Sequence, residues 1–266
     1  YSSAASDVYK RQMMNFTLSN QVQIPAVGIG TFMMTPDQAE QAVVDALACG
    51  YRMIDTAQAY MNERAVGRGI KRSGVAREDI FISTKIWASQ YLTEGTVEKS
   101  LELLGTDYID LMFIHQPAGD FMAGYRKLET VAIRPMVNQI EMHPYFAQES
   151  ALKVMEEYQI VPEAWAPLGG GRHNPFDNEM VKEIAAAHGK TVGQVVLRWN
   201  VQRGVVVIPK SVHKARIEEN FQIWDFTLTE EEMQKISSLD LGYQGTAVKH
   251  FDPEFVKMCN TRKIHE

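Results

Sequence analysis

A regular alternation of short apolar runs with longer amphipathic stretches is the feature that most constrains the fold of this chain. The apolar runs are continuous, as expected of parallel strands covered on both faces, and the amphipathic stretches between them predict helices. The predicted strands start at residues 27, 53, 80, 108, 136, 160 and 205. Because no linker rich in Pro, Gly or Ser interrupts this series, the sequence predicts one closed α/β array rather than two domains.

Local signals mark the predicted helices and an N-terminal hairpin. Thr35 is a good N-cap, Pro36 suits the first helical position and Gln38 completes a capping box, so a helix begins here and ends before Gly50. The hairpin is predicted at residues 16–24, where FTL and VQI flank the turn sequence SNQ. The other predicted helices cover residues 62–72, 93–104, 149–158, 216–221, 229–239 and two stretches within 179–203.

Composition and charge exclude several classes of function. The 266 residues carry a net charge of −6 with Lys and Arg spread along the chain, so no nucleic-acid partner is expected. The two cysteines lack metal-ligand spacing, and no apolar run approaches the ~20 residues that span a bilayer. We therefore expect no metal, no membrane and a cytoplasmic location. Residues 1–14 lack an apolar period and are interpreted as a non-native leader before a single domain at 15–266.

A dinucleotide-binding Rossmann fold is the rival α/β prediction. Gly28 and Gly30 are its only candidate glycine pair, and Met33 stands where the third glycine belongs. No helix begins directly after them, so the Rossmann prediction fails at its signature. The remaining solution is a (β/α)8 barrel of the TIM type with an N-terminal β-hairpin, although the sequence contains only seven of its eight strands.

Four ionisable residues fall where the chemistry of such a barrel is expected. Asp55 lies near the end of the second strand, and Tyr60 follows in the next loop. Lys85 and His115 end the third and fourth strands. Each alone has an ordinary explanation as a helix cap, an exposed ring, a solvated lysine or a core histidine. Because the carboxyl ends of barrel strands form the active face, their coincidence on successive strands favours a site.

Together these residue types suit the reduction of a carbonyl group. Hydride transfer to the carbonyl carbon places negative charge on its oxygen, and an acid must protonate that oxygen. A phenol with an ordinary pKa of about 10 is a weak acid, and a nearby ammonium group lowers the pKa of a phenol. Asp55 would hold Lys85 charged and oriented beside Tyr60, while His115 would donate a hydrogen bond to the carbonyl oxygen.

The motifs around these residues resemble those of the aldo-keto reductase family. The matching motifs are DTA at 55–57, Tyr60, NE at 62–63, KIW at 85–87, IHQP at 114–117, NQIE at 138–141, AWAPL at 164–168 and IPKS at 208–211. Arg216-Ile217 and Glu219-Asn220 end a resemblance that covers about residues 16–240. The chain is similar to the short prokaryotic type, that of diketogluconate and methylglyoxal reductases.

This resemblance implies an NADPH-dependent enzyme that reduces aldehydes or ketones, such as small carbonyls or keto-sugars, to alcohols. Tyr60 would be the proton donor, and Asp55, Lys85 and His115 would complete the catalytic set. The substrate pocket would be walled by Phe32, Trp87 and His115.

The resemblance also implies a set of residues that bind NADP(H). They are Gln139, Trp165, Leu168, Lys210, Ser211, Arg216, Glu219 and Asn220. Two cations and a hydroxyl, from Lys210, Ser211 and Arg216, would grip the 2′-phosphate and so favour NADPH over NADH. Trp165 would stack on the nicotinamide ring, where the family usually has Tyr.

One βα unit of the family is missing from this sequence. Between His115 and Asn138 the family carries a fifth strand and a Ser-Asn pair that helps to hold the nicotinamide amide, whereas here KLE at 127–129 runs directly into TVA at 130–132. Loss of an internal parallel strand is expected to leave unpaired edges on both neighbours. Three hypotheses stay open: an active reductase, a catalytically inactive nucleotide-binding subunit, and a truncated fragment of the same fold.

Overall fold

The computed structural model describes residues 14–129, 135–242, 250 and 252–264. Contacts within the chain divide these residues into two compact units. The amino unit comprises residues 29–48, 52–129, 250 and 252–264, and the carboxyl unit comprises residues 14–28, 49–51 and 135–242. The predicted leader lies outside the described residues except for Met14, and the single domain at 15–266 stays a prediction.

The predicted N-terminal hairpin is present in the carboxyl unit. Strands β1 (Asn15–Thr17) and β2 (Gln23–Pro25) pair in antiparallel fashion. The Asn20 side chain accepts a hydrogen bond from the Val22 amide in the turn between them. Ile24 is completely buried, so the hairpin contributes an apolar side chain to the core of its unit.

Four parallel strands form the sheet of the amino unit. In spatial order they are β3 (Ile29–Gly30), β4 (Met53–Asp55), β5 (Phe81–Ile86) and β6 (Leu111–Ile114). The register places Asp55 opposite Ser83 on the neighbouring strand. The helices that follow these strands are α1 (Pro36–Cys49), α2 (Glu63–Ser73), α3 (Thr96–Leu104) and α4 (Phe121–Glu129).

The capping box predicted before α1 is formed. The Thr35 amide donates to Gln38 Oε1 at 3.0 Å, and the Gln38 amide donates to Thr35 Oγ1 at 3.3 Å. Along α1, Ala39, Val43 and Leu47 are buried. Their spacing of four residues places them on one face, which explains why this amphipathic stretch is helical here.

The strand β6 behaves as the edge that loss of a fifth strand predicts. Every residue of β5 is buried, whereas every residue of β6 is only half-buried. Among the residues that the structure describes, β6 pairs with β5 alone. The predicted strand at 108–115 is therefore present in a shorter form, and its far edge lacks a neighbour within the sheet of the amino unit.

The carboxyl unit contains a second parallel sheet and its own core. Its strands are β7 (Val137–Glu141), β8 (Val161–Trp165) and β9 (Val206–Val207), paired in that order. Its helices are α5 (Glu149–Glu157), α6 (Glu179–His188), α7 (Val192–Gln202), α8 (Lys214–Phe221) and α9 (Glu230–Ser237). Val181, Trp199 and Ile236 form part of the apolar cluster among these helices.

One further helix, α10 (Pro253–Thr261), belongs to the amino unit and was not predicted. Its start signal is visible in retrospect, because Asp252 accepts a hydrogen bond from the Glu254 amide and proline occupies the first helical turn. Helix α4 was not predicted either. No helix in the described part of the chain is long and apolar enough to cross a membrane.

Candidate active site

A buried ion pair lies at the carboxyl ends of β4 and β5. Lys85 Nζ is 2.6 Å from Asp55 Oδ1 and 2.5 Å from Oδ2, and it donates a further bond to the Thr56 carbonyl at 2.8 Å. Ser83 Oγ donates to Asp55 Oδ1 at 2.9 Å. Since side chains alternate along a strand, Ser83 and Lys85 share one face of β5, and both reach the carboxylate that ends β4.

Tyr60 is placed beside this pair by a short 3-10 turn, Gln58–Tyr60. Lys85 Nζ is 5.2 Å from the centre of the Tyr60 ring, and the His115 ring centre is 5.6 Å from it. The structure therefore brings together the four side chains that the sequence predicts to converge.

Two buried amides hold the loop that carries Tyr60. Gln58 Nε2 donates to Thr96 Oγ1 at 3.1 Å, while its Oε1 accepts from the Trp87 amide at 3.1 Å. Asn62 Nδ2 donates to the Thr31 carbonyl at 2.9 Å. The sequence shows Asn62 only within a motif and gives no signal for Gln58, because these partners lie at least 29 residues away along the chain.

His115 follows β6 and is neutral at physiological pH. Burial lowers the pKa of its imidazole well below the usual value, and the charges of Lys85 and Arg262 lower that pKa further. Its Nδ1 is buried without a hydrogen-bond partner among the described residues. A neutral imidazole carries one N–H, so it can serve as a hydrogen-bond donor to an uncharged oxygen.

Phe32 and Trp87, the predicted walls of the substrate pocket, lie against the rings of Tyr60 and His115. The Phe32 ring centre is 5.1 Å from that of Tyr60, and Phe32 is 57% exposed. The Trp87 ring centre is 5.0 Å from that of His115, and Trp87 is buried. Aromatic surfaces next to the polar groups of Tyr60 and His115 suit the binding of a small, mostly apolar substrate.

The predicted phosphate-binding residues lie in the carboxyl unit, after β9 and at the start of α8. Lys210 and Arg216 are exposed, and neither forms an ion pair with a described residue. Ser211 is buried, and its Oγ accepts a hydrogen bond from the His213 amide at 3.1 Å. Two cations without carboxylate partners near one hydroxyl can hold a phosphate group.

The other predicted cofactor residues have varied surroundings. Gln139 on β7 donates to the buried Glu163 on β8 at 2.6 Å, a partner that sequence analysis missed. Trp165 ends β8 and is half-buried, and Leu168 packs against the apolar cluster of its unit. The remaining two lie in α8, where Asn220 is buried and Glu219 Oε1 accepts from Thr191 Oγ1 at 2.9 Å.

The strand ends of the amino unit thus define an α/β protein with a buried acid–base site. The model of the aldo/keto reductase family matches this chain over residues 26–131 and 122–241. The chain is 42% identical over 257 positions to a 9,11-endoperoxide prostaglandin H2 reductase of Trypanosoma cruzi (strain CL Brener), with 84% of this chain and 90% of that protein covered. It is 41% identical over 254 positions to a glyoxal reductase of Bacillus subtilis (strain 168), with 84% of this chain and 91% of that protein covered. The chain belongs to the aldo/keto reductase family.

Solved structures confirm the predicted fold class, an α/β fold of the (β/α)8 barrel type. An aldo-keto reductase from a Medee basin deep-sea metagenome library has a TM-score of 0.84 at 37% identity, with 87% of this chain and 97% of that chain covered. The Bombyx mori aldo-keto reductase in complex with NADP has a TM-score of 0.79 at 30% identity, with 85% of this chain and 92% of that chain covered.

The comparisons support the prediction that this sequence lacks a segment of the family. The family model matches in two segments that overlap at residues 122–131, within the region between His115 and Asn138 where the sequence predicts the loss. An alignment of 257 positions that covers 84% of a 266-residue chain contains positions at which this chain has no residue. That relative therefore carries residues that this sequence lacks.

Proposed function

We propose that this chain is an NADPH-dependent reductase that converts small aldehydes or ketones to alcohols, with Tyr60 as the proton donor. The observation that carries the proposal is the buried Lys85–Asp55 pair beside the Tyr60 ring. Neutral His115 also lies next to that ring. A binding protein without catalysis has no need of an acid, a cation and a neutral hydrogen-bond donor grouped in this way.

Each residue has a separate task in this mechanism. His115 donates its N–H to the substrate carbonyl oxygen and fixes the carbonyl near Tyr60. Tyr60 gives its phenolic proton to that oxygen as negative charge develops there, and the ammonium of Lys85 stabilises the phenolate that remains. Asp55 keeps Lys85 charged and in place, since a buried ammonium without a partner is costly.

The residues of the carboxyl unit fit the adenosine end of NADPH. Lys210 and Arg216 have no carboxylate partner among the described residues, and this supports their role as ligands of the 2′-phosphate. Gln139, Trp165 and Leu168 would hold the nicotinamide end, and Glu219 with Asn220 the adenine. When bound, NADPH supplies the hydride that reduces the carbonyl carbon.

The substrate is a small carbonyl compound in this proposal. The names of two relatives support that class. One is the glyoxal reductase of Bacillus subtilis, and the other is a methylglyoxal reductase of Yersinia pestis that is 37% identical to this chain. The test is to follow loss of NADPH absorbance with methylglyoxal, butanal and a keto-sugar, and to identify the alcohol formed. Consumption of NADPH with formation of the alcohol supports the proposal, and no turnover of any carbonyl contradicts it.

A second candidate is a catalytically inactive chain, either a nucleotide-binding subunit or a truncated fragment of the same fold. It is favoured by one observation: the alignment to a relative contains positions at which this chain has no residue, as expected if the predicted βα unit with the family's Ser-Asn pair is missing. A chain of this kind would bind NADPH in a fluorescence titration and would leave every carbonyl in the panel unchanged. The same two measurements therefore separate the two candidates.

A further inference from the structure

The hydroxyl group of Tyr91 is bonded to the backbone that carries His115. Tyr91 follows the short 3-10 turn Ala88–Gln90, and its side chain is buried. Its Oη lies 2.7 Å from the His115 carbonyl oxygen and 2.8 Å from the Gln116 carbonyl oxygen. A phenol has one proton to donate, so the two carbonyls share it. Burial raises the pKa of the Tyr91 phenol, so this hydroxyl stays protonated and able to donate.

The bond from Tyr91 is placed where the pairing of β6 with β5 comes to an end. The His115 amide donates to the Ile86 carbonyl at 2.9 Å, and Ile86 is the last residue of β5. Among the described residues, β6 pairs with no strand other than β5, so His115 leaves the sheet from an edge. The Tyr91 hydroxyl supplies a donor for the His115 carbonyl at this point, beyond the last paired residues.

The backbone that follows His115 has an unusual conformation. Gln116 has a φ of 58°, in the left-handed region that residues other than glycine rarely adopt. Its carbonyl oxygen accepts from the Ala118 amide at 2.5 Å as well as from Tyr91. A conformation of this kind persists where surrounding groups hold it in place. Tyr91 therefore holds the two peptide groups that come directly after the His115 side chain.

Packing leaves the Tyr91 ring little room to move. A Cβ atom at Gly124 in α4 would lie 2.8 Å from both Cβ and Cγ of Tyr91, so the helix can lie directly against the ring only because position 124 has no side chain. Trp87, directly before the same 3-10 turn, has its ring centre 5.0 Å from that of His115. One turn thus contacts His115 twice, at the imidazole through Trp87 and at the carbonyl through Tyr91.

We propose that Tyr91 is a positioning residue, which aims the imidazole of His115 at the carbonyl oxygen of the substrate. This inference rests on the proposed function, in which His115 donates its N–H to that oxygen. The aim of the imidazole matters because a hydrogen bond weakens steeply when its donor is misaligned, and this bond acts where negative charge develops. Tyr91 acts through His115, since its own hydroxyl is engaged by the backbone.

The Tyr91→Phe variant tests the inference, because it deletes the hydroxyl and keeps the ring. Its kcat for a carbonyl that wild type reduces is expected to fall about 10-fold, a part of the about 10²–10³-fold that loss of a whole donor of this kind costs. KM for that carbonyl is expected to change less than kcat.

Tyr51→Phe is the matched control. Tyr51 is also buried, and its hydroxyl donates to a backbone carbonyl, that of Ile217, at 3.1 Å in the carboxyl unit. The control therefore loses the same kind of bond away from His115. Its kcat at saturating NADPH is expected to stay within about twofold of wild type.

Two further measurements separate positioning from support of the fold. In a His115→Ala background, Tyr91→Phe is expected to cause no further loss of kcat, because no imidazole remains to be aimed. The imidazole signal of His115 in a proton–carbon NMR spectrum, identified by its absence in His115→Ala, is expected to shift or broaden in Tyr91→Phe and to stay unchanged in Tyr51→Phe.

Any one of three results overturns the inference while the reductase proposal stands. These are an unchanged kcat in Tyr91→Phe, an unchanged His115 signal in that variant, and an equal fold-loss of kcat with and without His115. If wild type reduces no carbonyl, the proposed function itself fails, and this inference fails with it.

Discussion

Lys85 Nζ contacts both carboxylate oxygens of Asp55, at 2.6 and 2.5 Å, and the two residues are only 2% and 1% exposed. A charged pair taken so far out of water is retained only where each partner satisfies the other. The Thr56 carbonyl and Ser83 Oγ complete the bonding of the pair. This pair links the stability of the amino unit to the chemistry proposed for Tyr60.

Lys85→Met is expected to lower the free energy of unfolding by about 3–5 kcal/mol, because it leaves the Asp55 carboxylate buried without its counter-ion. Urea denaturation followed by circular dichroism measures the loss. The double variant Asp55→Leu with Lys85→Met removes both charges and is expected to lose clearly less. A double variant that is no more stable than Lys85→Met would contradict this account of the pair.

Arg216→Ala is expected to weaken NADPH binding by roughly 1.5–3 kcal/mol, because a charged hydrogen bond to the 2′-phosphate is removed. NADH lacks that phosphate, so its affinity is expected to change much less. Lys214→Ala is a suitable control, since Lys214 lies in the same helix and is 3.9 Å from Glu218. Fluorescence titration measures both dissociation constants, and equal losses for the two cofactors would refute the assignment of Arg216.

The lowered pKa of His115 predicts a loss of stability in mild acid. The folded chain keeps this imidazole neutral below the ordinary pKa of about 6.5, whereas the unfolded chain binds a proton there. Stability is therefore retained above that value and lost progressively as the pH falls below it. His115→Gln is expected to remove this part of the pH dependence in urea denaturation. If the variant keeps the full slope, His115 is not the group responsible.

Most of the elements, and the convergence of the four candidate catalytic residues, could be predicted from the sequence. Strands and helices follow the apolar pattern, and the capping box at Thr35 and Gln38 is local, so its signal stands within four residues. Asp55, Lys85 and His115 were found because they end successive parallel strands, which brings distant positions together by topology alone.

The features that the sequence does not predict depend on contacts between residues far apart in the chain, and no local pattern encodes such contacts. Arg262 bonds to Ala59, 203 residues earlier in the chain, and only the folded amino unit brings the two together. Glu163 interrupts an apolar strand, and its role became visible only when the register placed it opposite Gln139. Helix α10 carries an Asp-Pro start signal, and Phe255, Met258 and Cys259 follow at helical spacing, but the apolar run is too short to distinguish a helix from a turn without the fold.

Turnover of the Tyr60→Phe variant tests the central claim most directly. The substitution keeps the ring against Phe32 and His115 and removes only the hydroxyl group, so NADPH affinity in a fluorescence titration is expected to change little. Loss of the general acid predicts a fall in kcat of about 10²–10⁴-fold for a substrate that wild type reduces. Near-wild-type turnover by Tyr60→Phe, with NADPH binding intact, would contradict the assignment of Tyr60 as proton donor.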